Sequence, residues 1–177
     1  MGAPAGLLGS TSSYLLTDEK PRWEVGIAAW IEGEAGLLVY DNFDIWQLDI
    51  TGKKPAINLT NGYGRLHEVM LSLLNGDRYD PVIPKVPKKE ALLLKAFNLR
   101  NKYNGFFRKP LGAANDPELL FMGPCLMRSL RPTHVGLYNY GMQPLKARDA
   151  ATWIVQRQTA TEAPNYFVTT DFKNINP

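Results

Sequence analysis

A β-hairpin is predicted by the alternation of apolar and polar residues in the segment DIWQLDITGKKPAINLT. Trp46, Leu48 and Ile50 alternate with polar residues, which is the period of a half-buried strand. Gly52 follows in a turn, where a tight hairpin needs a residue that tolerates positive φ. The pattern predicts that Trp46 is buried against a neighbouring sheet and that residues 56–60 form the returning strand.

A repeated order of aromatic strands and polar turns predicts an all-β fold. The sequence predicts a further strand just before the hairpin, and three successive antiparallel strands make a meander. The order returns loosely in residues 92–109 and 153–172. The aromatic centres Trp46, Phe107 and Phe167 lie roughly 60 residues apart, against about 40 to 50 in common propeller blades. We predict antiparallel β-meander blades, a partial β-propeller of about three blades, although the same strands and turns also occur in all-β sandwiches.

Four stretches of the chain carry a family resemblance: GIAAWIEGEAGLLVYDNFDIWQLDITGKKPAINLTNGYGR, ALLLKAFNLRNKYNGFFRKPLG, ELLFMG and TATEAPNYFVTTDFKNINP. Together they resemble the later part of the β-propeller domain in serine peptidases of the prolyl-oligopeptidase family. In that family an α/β-hydrolase domain follows the propeller and holds the catalytic serine, aspartate and histidine. The resemblance implies a partial propeller domain at residues 25–177. Residues 1–24 show no likeness and are expected to be a poorly ordered leader.

The resemblance implies a structural domain that lacks the catalytic residues of the peptidase family. The family places its nucleophile in Gly-x-Ser-x-Gly, and none of the serines stands in such a string. We therefore expect no catalytic, cofactor-binding or metal-binding residues, and a chain that is not itself an enzyme. The expected partners are the hydrolase domain or further blades of a parent serine peptidase, and its peptide substrate.

An alternative function remains open, namely a free-standing β-rich module that binds a protein or a glycan. Its aromatic contacts would include Tyr138, Tyr140 and Trp153. A reading frame that continues past residue 177 and encodes Gly-x-Ser-x-Gly would favour the peptidase parent, whereas a stop codon would favour the free-standing module.

The residues with reactive side chains are few. Cys125 is the only cysteine, which excludes an internal disulfide, and between Pro124 and Leu126 it is expected to be a small buried apolar residue. His67 and His134 are the only histidines, too few for a typical zinc site. His67 is expected to be an exposed or hydrogen-bonded strand residue. A triad assembled from scattered positions would be recognised by geometry and is not excluded by sequence order.

Oxygen-bearing side chains cluster before the hairpin at Asp41, Asn42 and Asp44. They are the nearest approach to a calcium-ligand set, and we expect them to form a turn instead. Asn58-Leu59-Thr60 fits a glycosylation acceptor, which matters only on a secretory route. The amino end lacks the basic region and long apolar stretch of a signal peptide. The family resemblance is compatible with a periplasmic or secreted location.

The charge distribution favours neither nucleic acid nor membrane as a partner. The net charge is +3 and the basic residues are dispersed, the densest group being Lys85, Lys88 and Lys89, which we expect in a solvated loop. The sequence contains no run of 18 apolar residues, so it predicts no membrane-spanning helix. Residues 79–89 contain three prolines and are expected to connect two blades without joining a sheet. Residues 64–75 fit a helix or a strand, and the blade context favours a strand.

An incomplete propeller predicts exposed edges. About three blades cannot close a ring that takes about 4 to 8. Apolar faces and strand edges should therefore remain uncovered, with residues 166–172 as the open strand. We expect the isolated chain to self-associate or to repack into a sandwich that hides these faces.

Overall fold

The computed structural model describes residues 26–74, 83–112, 114–128 and 144–175. Within these ranges the chain forms short strands and a single helical turn. In chain order they are β1 (Ile27–Ile31), β2 (Gly36–Tyr40), β3 (Ile45–Asp49), β4 (Ile57–Asn58), α1 (Tyr63–His67), β5 (Val69–Leu73), β6 (Lys85–Val86), β7 (Leu92–Asn98), β8 (Asn104–Lys109), β9 (Glu118–Gly123), β10 (Leu126–Arg128), β11 (Leu145–Lys146), β12 (Trp153–Gln158) and β13 (Asn165–Thr169). The all-β prediction is confirmed, and the proposed leader lies outside the described residues.

The strands form three sheets. The first has the order β4-β3-β2-β1-β6, in which β1 to β4 are an antiparallel meander and β6 pairs parallel to β1. The second is an antiparallel sheet with the order β5-β7-β8-β9. In the third, β13 pairs with one edge of β12, and β10 and β11 pair with its other edge. The described sheets do not close on one another, so the propeller stays a prediction.

The second sheet lies between the other two, because both of its faces contribute to a core. One core combines first-sheet residues such as Leu38 and Ile45 with Leu94 and Phe107 of the second sheet. The other core combines Phe106 with third-sheet and C-terminal residues, among them Trp153, Val155, Phe167 and Phe172. Adjacent residues of a strand face opposite sides of a sheet. The neighbouring pair Phe106-Phe107 therefore serves both cores.

Trp46 lies outside the core that the first and second sheets share, although its strand is correct. Ile45 is the fully buried residue of β3, whereas Trp46 is half-buried and Ile50, which follows the strand, is 57% exposed. Ile45 pairs with Tyr40 on the face that packs against the second sheet, so Trp46 lies on the opposite face. Trp46 instead donates its indole N–H to Asp41 Oδ2 at 3.0 Å.

The strand predicted in residues 64–75 is correct only from Val69 onward. The preceding residues form α1, which is bracketed by left-handed residues at Gly62 and Glu68. A side chain at Gly64 would collide with the Phe43 carbonyl, so this turn requires glycine. His67 is consequently an exposed helical residue, and its ring lies 4.3 Å from the ring of Tyr63.

The proline-containing segment does join a sheet, contrary to the prediction of a plain connection. In its described part, Trp30 N donates to Pro84 O at 2.8 Å and Glu32 N donates to Val86 O at 3.0 Å. Prolines lack an amide donor but keep their carbonyl acceptor, so β6 can pair with the edge of β1. Lys88 adds an ion pair with Glu34.

Candidate functional site

A cleft of about 530 Å³ opens where β6 approaches the ends of the second and third sheets. Its walls include the start of β7 at Leu92, the β11 residue Lys146 and the start of β12 at Trp153. The β6 segment is held in place by its pairing with β1, so all three sheets position the lining of this cleft. Its volume falls within the range of clefts that hold small ligands.

The rim of the cleft is charged. Lys85, Lys146 and Arg148 contribute three cations, and Glu90 and Asp149 contribute two acids. All five residues are exposed, so their charges are screened by solvent and their net excess is one positive charge. The rim therefore presents solvated charges of both signs.

The base of the cleft is aromatic. Trp153 is 8% exposed and packs at 5.2 Å against the ring of Phe172, so it is mainly a core residue whose accessible edge lines the cleft. The Lys146 ammonium lies 5.9 Å from the centre of the Trp153 ring. This arrangement orients the cation by a cation–π contact. Among the aromatic residues proposed for binding, Tyr138 and Tyr140 lie outside the described residues.

The carboxylate of Asp44 forms a buried clasp between the first sheet and α1. It accepts hydrogen bonds from Thr60 Oγ1 at 2.7 Å, from Gly64 N at 2.9 Å and from Arg65 N at 3.2 Å. Burial, the largest influence, raises the pKa of Asp44, and the nearby Asp41 charge acts in the same direction while the hydrogen bonds oppose both. Three protein donors therefore bind this buried carboxylate.

The carboxylate of Asp41 organises the turn before β3. Oδ1 accepts from Phe43 N and Asp44 N, while Oδ2 accepts from Trp46 Nε1 and from Arg65 at 3.1 Å. Burial tends to raise the pKa of Asp41, but the four hydrogen-bonding partners together lower it. The predicted turn is thus observed at Asp41, whereas the Asp44 carboxylate accepts from Thr60 and α1 and not from the turn. In the described parts of the chain, no group of three or more His, Cys, Asp or Glu is arranged to hold a metal ion.

The residues of the glycosylation motif Asn58-Leu59-Thr60 take part in hydrogen bonds within the fold. Asn58 Oδ1 accepts from the Thr60 amide, while the hydroxyl of the fully buried Thr60 donates to Asp44. Asn58 and Thr60 therefore tie β4 to the Asp44 clasp. The buried hydroxyl is inaccessible in the folded chain.

The sequence candidates for nucleophilic chemistry do not meet in the described structure. Cys125 is buried, and burial raises the pKa of its thiol while the Arg157 charge opposes this effect. A raised thiol pKa lowers nucleophilicity at neutral pH. Ser72 is the one serine within the described ranges, in β5, and His67 belongs to the neighbouring α1. His134 lies outside the described residues.

A buried lysine was missed by the sequence analysis. Lys109 is fully buried at the end of β8 and contacts Asn115 in the following loop. Burial lowers its pKa, and the Asp116 carboxylate opposes the change. The alternation of β8 places Lys109 on the same face as Phe107, so the period-two pattern could have indicated its burial. It anchors the loop that leads to β9.

Comparisons with protein-family models, curated proteins and solved structures find no significant match to this chain. Within the described ranges the helix α1 has five residues and is too short to span a bilayer.

Proposed function

We propose that this chain is a non-catalytic part of a β-propeller that shapes peptide access in a serine peptidase of the prolyl-oligopeptidase family. The observation that carries the proposal is the face-to-face stacking of three sheets, antiparallel except for the pairing of β6 with β1, with the second sheet contributing to both cores. Stacked, mainly antiparallel sheets of about four strands are the building units of propellers. The sequence resemblance supplies the peptidase context.

The cleft gives this proposal a physical role. It lies at the strand ends, where loops and termini of several sheets meet, and its charged rim surrounds an aromatic base. An extended peptide could place carboxylates near Lys146 and Arg148 and an apolar side chain against Trp153. The chain would then orient a substrate, while another domain performs the hydrolysis.

We expect the purified chain to leave chromogenic peptide and ester substrates intact and to remain unlabelled by a fluorophosphonate probe. The physical reason is the absence of the nucleophile motif from the sequence. Mass spectrometry after incubation with the probe measures the outcome, with an active serine peptidase as the positive control. Stoichiometric labelling of one serine would refute the non-catalytic role.

A second candidate function, a free-standing binding module, is favoured by the same cleft because its described lining brings together charged residues and Trp153 from this chain. We expect a short labelled peptide of glutamate and alanine to bind more tightly than its glutamine counterpart. The Lys146→Glu/Arg148→Glu variant should bind the acidic peptide at least tenfold more weakly, since two rim cations become acids. Fluorescence anisotropy provides the measurement.

The matched control is Lys54→Glu/Lys53→Glu, which makes the same change of charge on the exposed β3–β4 turn outside the cleft. Equal weakening by both double variants would indicate a general charge effect. If the acidic and glutamine peptides bound equally well, the cleft would have no preference for anionic ligands.

A further inference from the structure

One part of the cleft lining comes from the segment around β6, here called the strap (residues 84–90). Its lining residues are Pro84, Lys85, Val86, Pro87 and Glu90. Another part of the lining comes from the third sheet, at Lys146 and Trp153. A ligand that fills the cleft therefore contacts the strap as well as the third sheet.

The strap is attached to the first sheet by a short ladder. β6 has two residues and pairs parallel with β1. The amides of Trp30 and Glu32 donate to the carbonyls of Pro84 and Val86. Parallel pairing is slightly less stable per residue than antiparallel pairing, and Pro84 has no amide with which to extend the ladder. The ladder alone is therefore a weak attachment.

Two side chains add to this attachment. Val86 is 7% exposed and belongs to the core between the first and second sheets. Lys88 forms an ion pair with Glu34 in the turn between β1 and β2, and neither residue lines the cleft. The side chains of this pair are 62% and 31% exposed, so solvent weakens their attraction. Docking of the strap thus depends on one apolar anchor and a few polar contacts.

The rest of the cleft is held more firmly. Trp153 packs against Phe172, and Phe172, predicted to belong to an open strand, is instead buried between Trp153 and Phe106. Leu92 belongs to β7, which pairs with β5 on one side and β8 on the other. Compared with Trp153 and Leu92, the strap is the weakly attached part of the lining.

We propose that docking of the strap on β1 and binding of a ligand in the cleft stabilise each other. This inference rests on the binding role proposed for the cleft, and it names the segment that responds to the ligand. A ligand that contacts the strap only in its docked position favours the docked state. Conversely, a looser strap weakens the apparent affinity in proportion to the fraction of chains in which it is docked.

Amide hydrogen exchange measures the strap directly, because the Trp30 and Glu32 amides are bonded to it. The labelled peptide of glutamate and alanine, at about ten times its Kd, should slow exchange at both amides about tenfold. The Leu71 amide, which donates to Phe43 O away from the strap, is the internal control and should change little. Equal slowing at all three amides would indicate stabilisation of the whole chain and would overturn the coupling.

The Glu34→Lys variant separates the coupling from simple charge attraction. It replaces the ion pair with Lys88 by a repulsion and leaves the cleft lining unchanged. Charge attraction alone predicts tighter binding of the acidic peptide, because the chain becomes more positive. The coupling predicts the opposite, namely about threefold weaker binding if the docked fraction falls to about one third. Fluorescence anisotropy measures the affinity, and exchange at Trp30 and Glu32 should become faster.

Two further variants serve as controls. The double variant Glu34→Lys/Lys88→Glu restores an ion pair of reversed direction, so affinity and exchange should both return toward the wild-type values. Glu68→Lys makes the same change of charge at an exposed position outside the cleft and should bind at least as tightly as the wild type. Its thermal unfolding should match that of Glu34→Lys, which shows that weaker binding does not reflect lost folding. If Glu34→Lys is less stable, Glu34→Gln, which only removes the pair, replaces it.

The outcomes separate this inference from the proposed functions. Tighter binding by Glu34→Lys, equal to that of Glu68→Lys, would overturn the coupling and leave binding in the cleft intact. Peptide binding without a change at the Trp30 and Glu32 amides would do the same. A wild-type chain that does not bind the peptide would overturn both the coupling and the binding module, while the fluorophosphonate experiment tests the non-catalytic role separately.

Discussion

The Phe106→Ala variant is expected to lose about 3 to 5 kcal/mol of unfolding free energy, the usual range for a large buried aromatic. Phe106 is 1% exposed and its ring lies 4.7 Å from that of Phe172, in the core between the second and third sheets. Removing the ring leaves a cavity that neighbouring sheets can fill only by moving. Urea unfolding followed by circular dichroism measures the loss.

Phe107→Ala provides the matched comparison, because its ring belongs to the other core and lies 5.4 Å from Tyr63. We expect a similar overall loss but a different local pattern. Hydrogen exchange should accelerate first in the third sheet for Phe106→Ala and in the first sheet for Phe107→Ala. Leu119→Ala, at a half-exposed position of β9, is the control and should change stability little. Identical exchange patterns in the two phenylalanine variants would contradict the separation into two cores.

Asp44→Ala is expected to have the second large effect, a loss of about 3 to 4 kcal/mol, because hydrogen bonds to a charged acceptor contribute more than neutral ones. The substitution leaves the Thr60 hydroxyl and the Gly64 and Arg65 amides without their acceptor. The cost of burying the carboxylate, which raises its pKa, offsets part of this loss. Chemical unfolding of the variant and the wild type measures the difference.

The control for Asp44→Ala is Asp49→Ala. Asp49 also accepts several turn hydrogen bonds, including those from Thr51 and Lys54, but at an exposed position. Water can replace its bonds, so the loss should be much smaller. A cycle of Asp44→Ala, Thr60→Val and the double variant should reveal coupling between the two side chains. Independent effects of the two substitutions would show that the clasp does not act as a unit.

Local patterns predicted the strands well but not which face is buried. The strand at Leu92 and the hairpin after β3 are observed where the alternation placed them. Trp46 was assigned to the core because β3 alternates, yet the alternation does not say which side meets the second sheet when both sides carry apolar residues. Ile45 is the buried residue because it pairs with Tyr40 and packs against strands that are distant in the sequence.

Other features depend on long-range or backbone effects that sequence patterns do not express. The turn of α1 follows two left-handed residues, Asn61 and Gly62, and ends at a third, Glu68. The buried Lys109 requires the loop containing Asn115 to fold over it. The cleft brings residues from β6, β11 and β12 together, so its charged rim could not be assembled from neighbouring sequence positions.

The pairing of β6 with β1 has a consequence for the order of folding. Most strand pairs in the described sheets join strands close in the chain, which favours rapid formation. The pairing of Ile31 with Val86 instead joins residues far apart in the chain, with β2 to β5 between them. Closing so long a segment carries an added entropic cost. The β1 edge should therefore be covered late, and while it is uncovered its amides and carbonyls can recruit another strand. Once the proline-containing segment pairs with β1, this strand edge is covered. The first sheet is then less prone to aggregate through that edge.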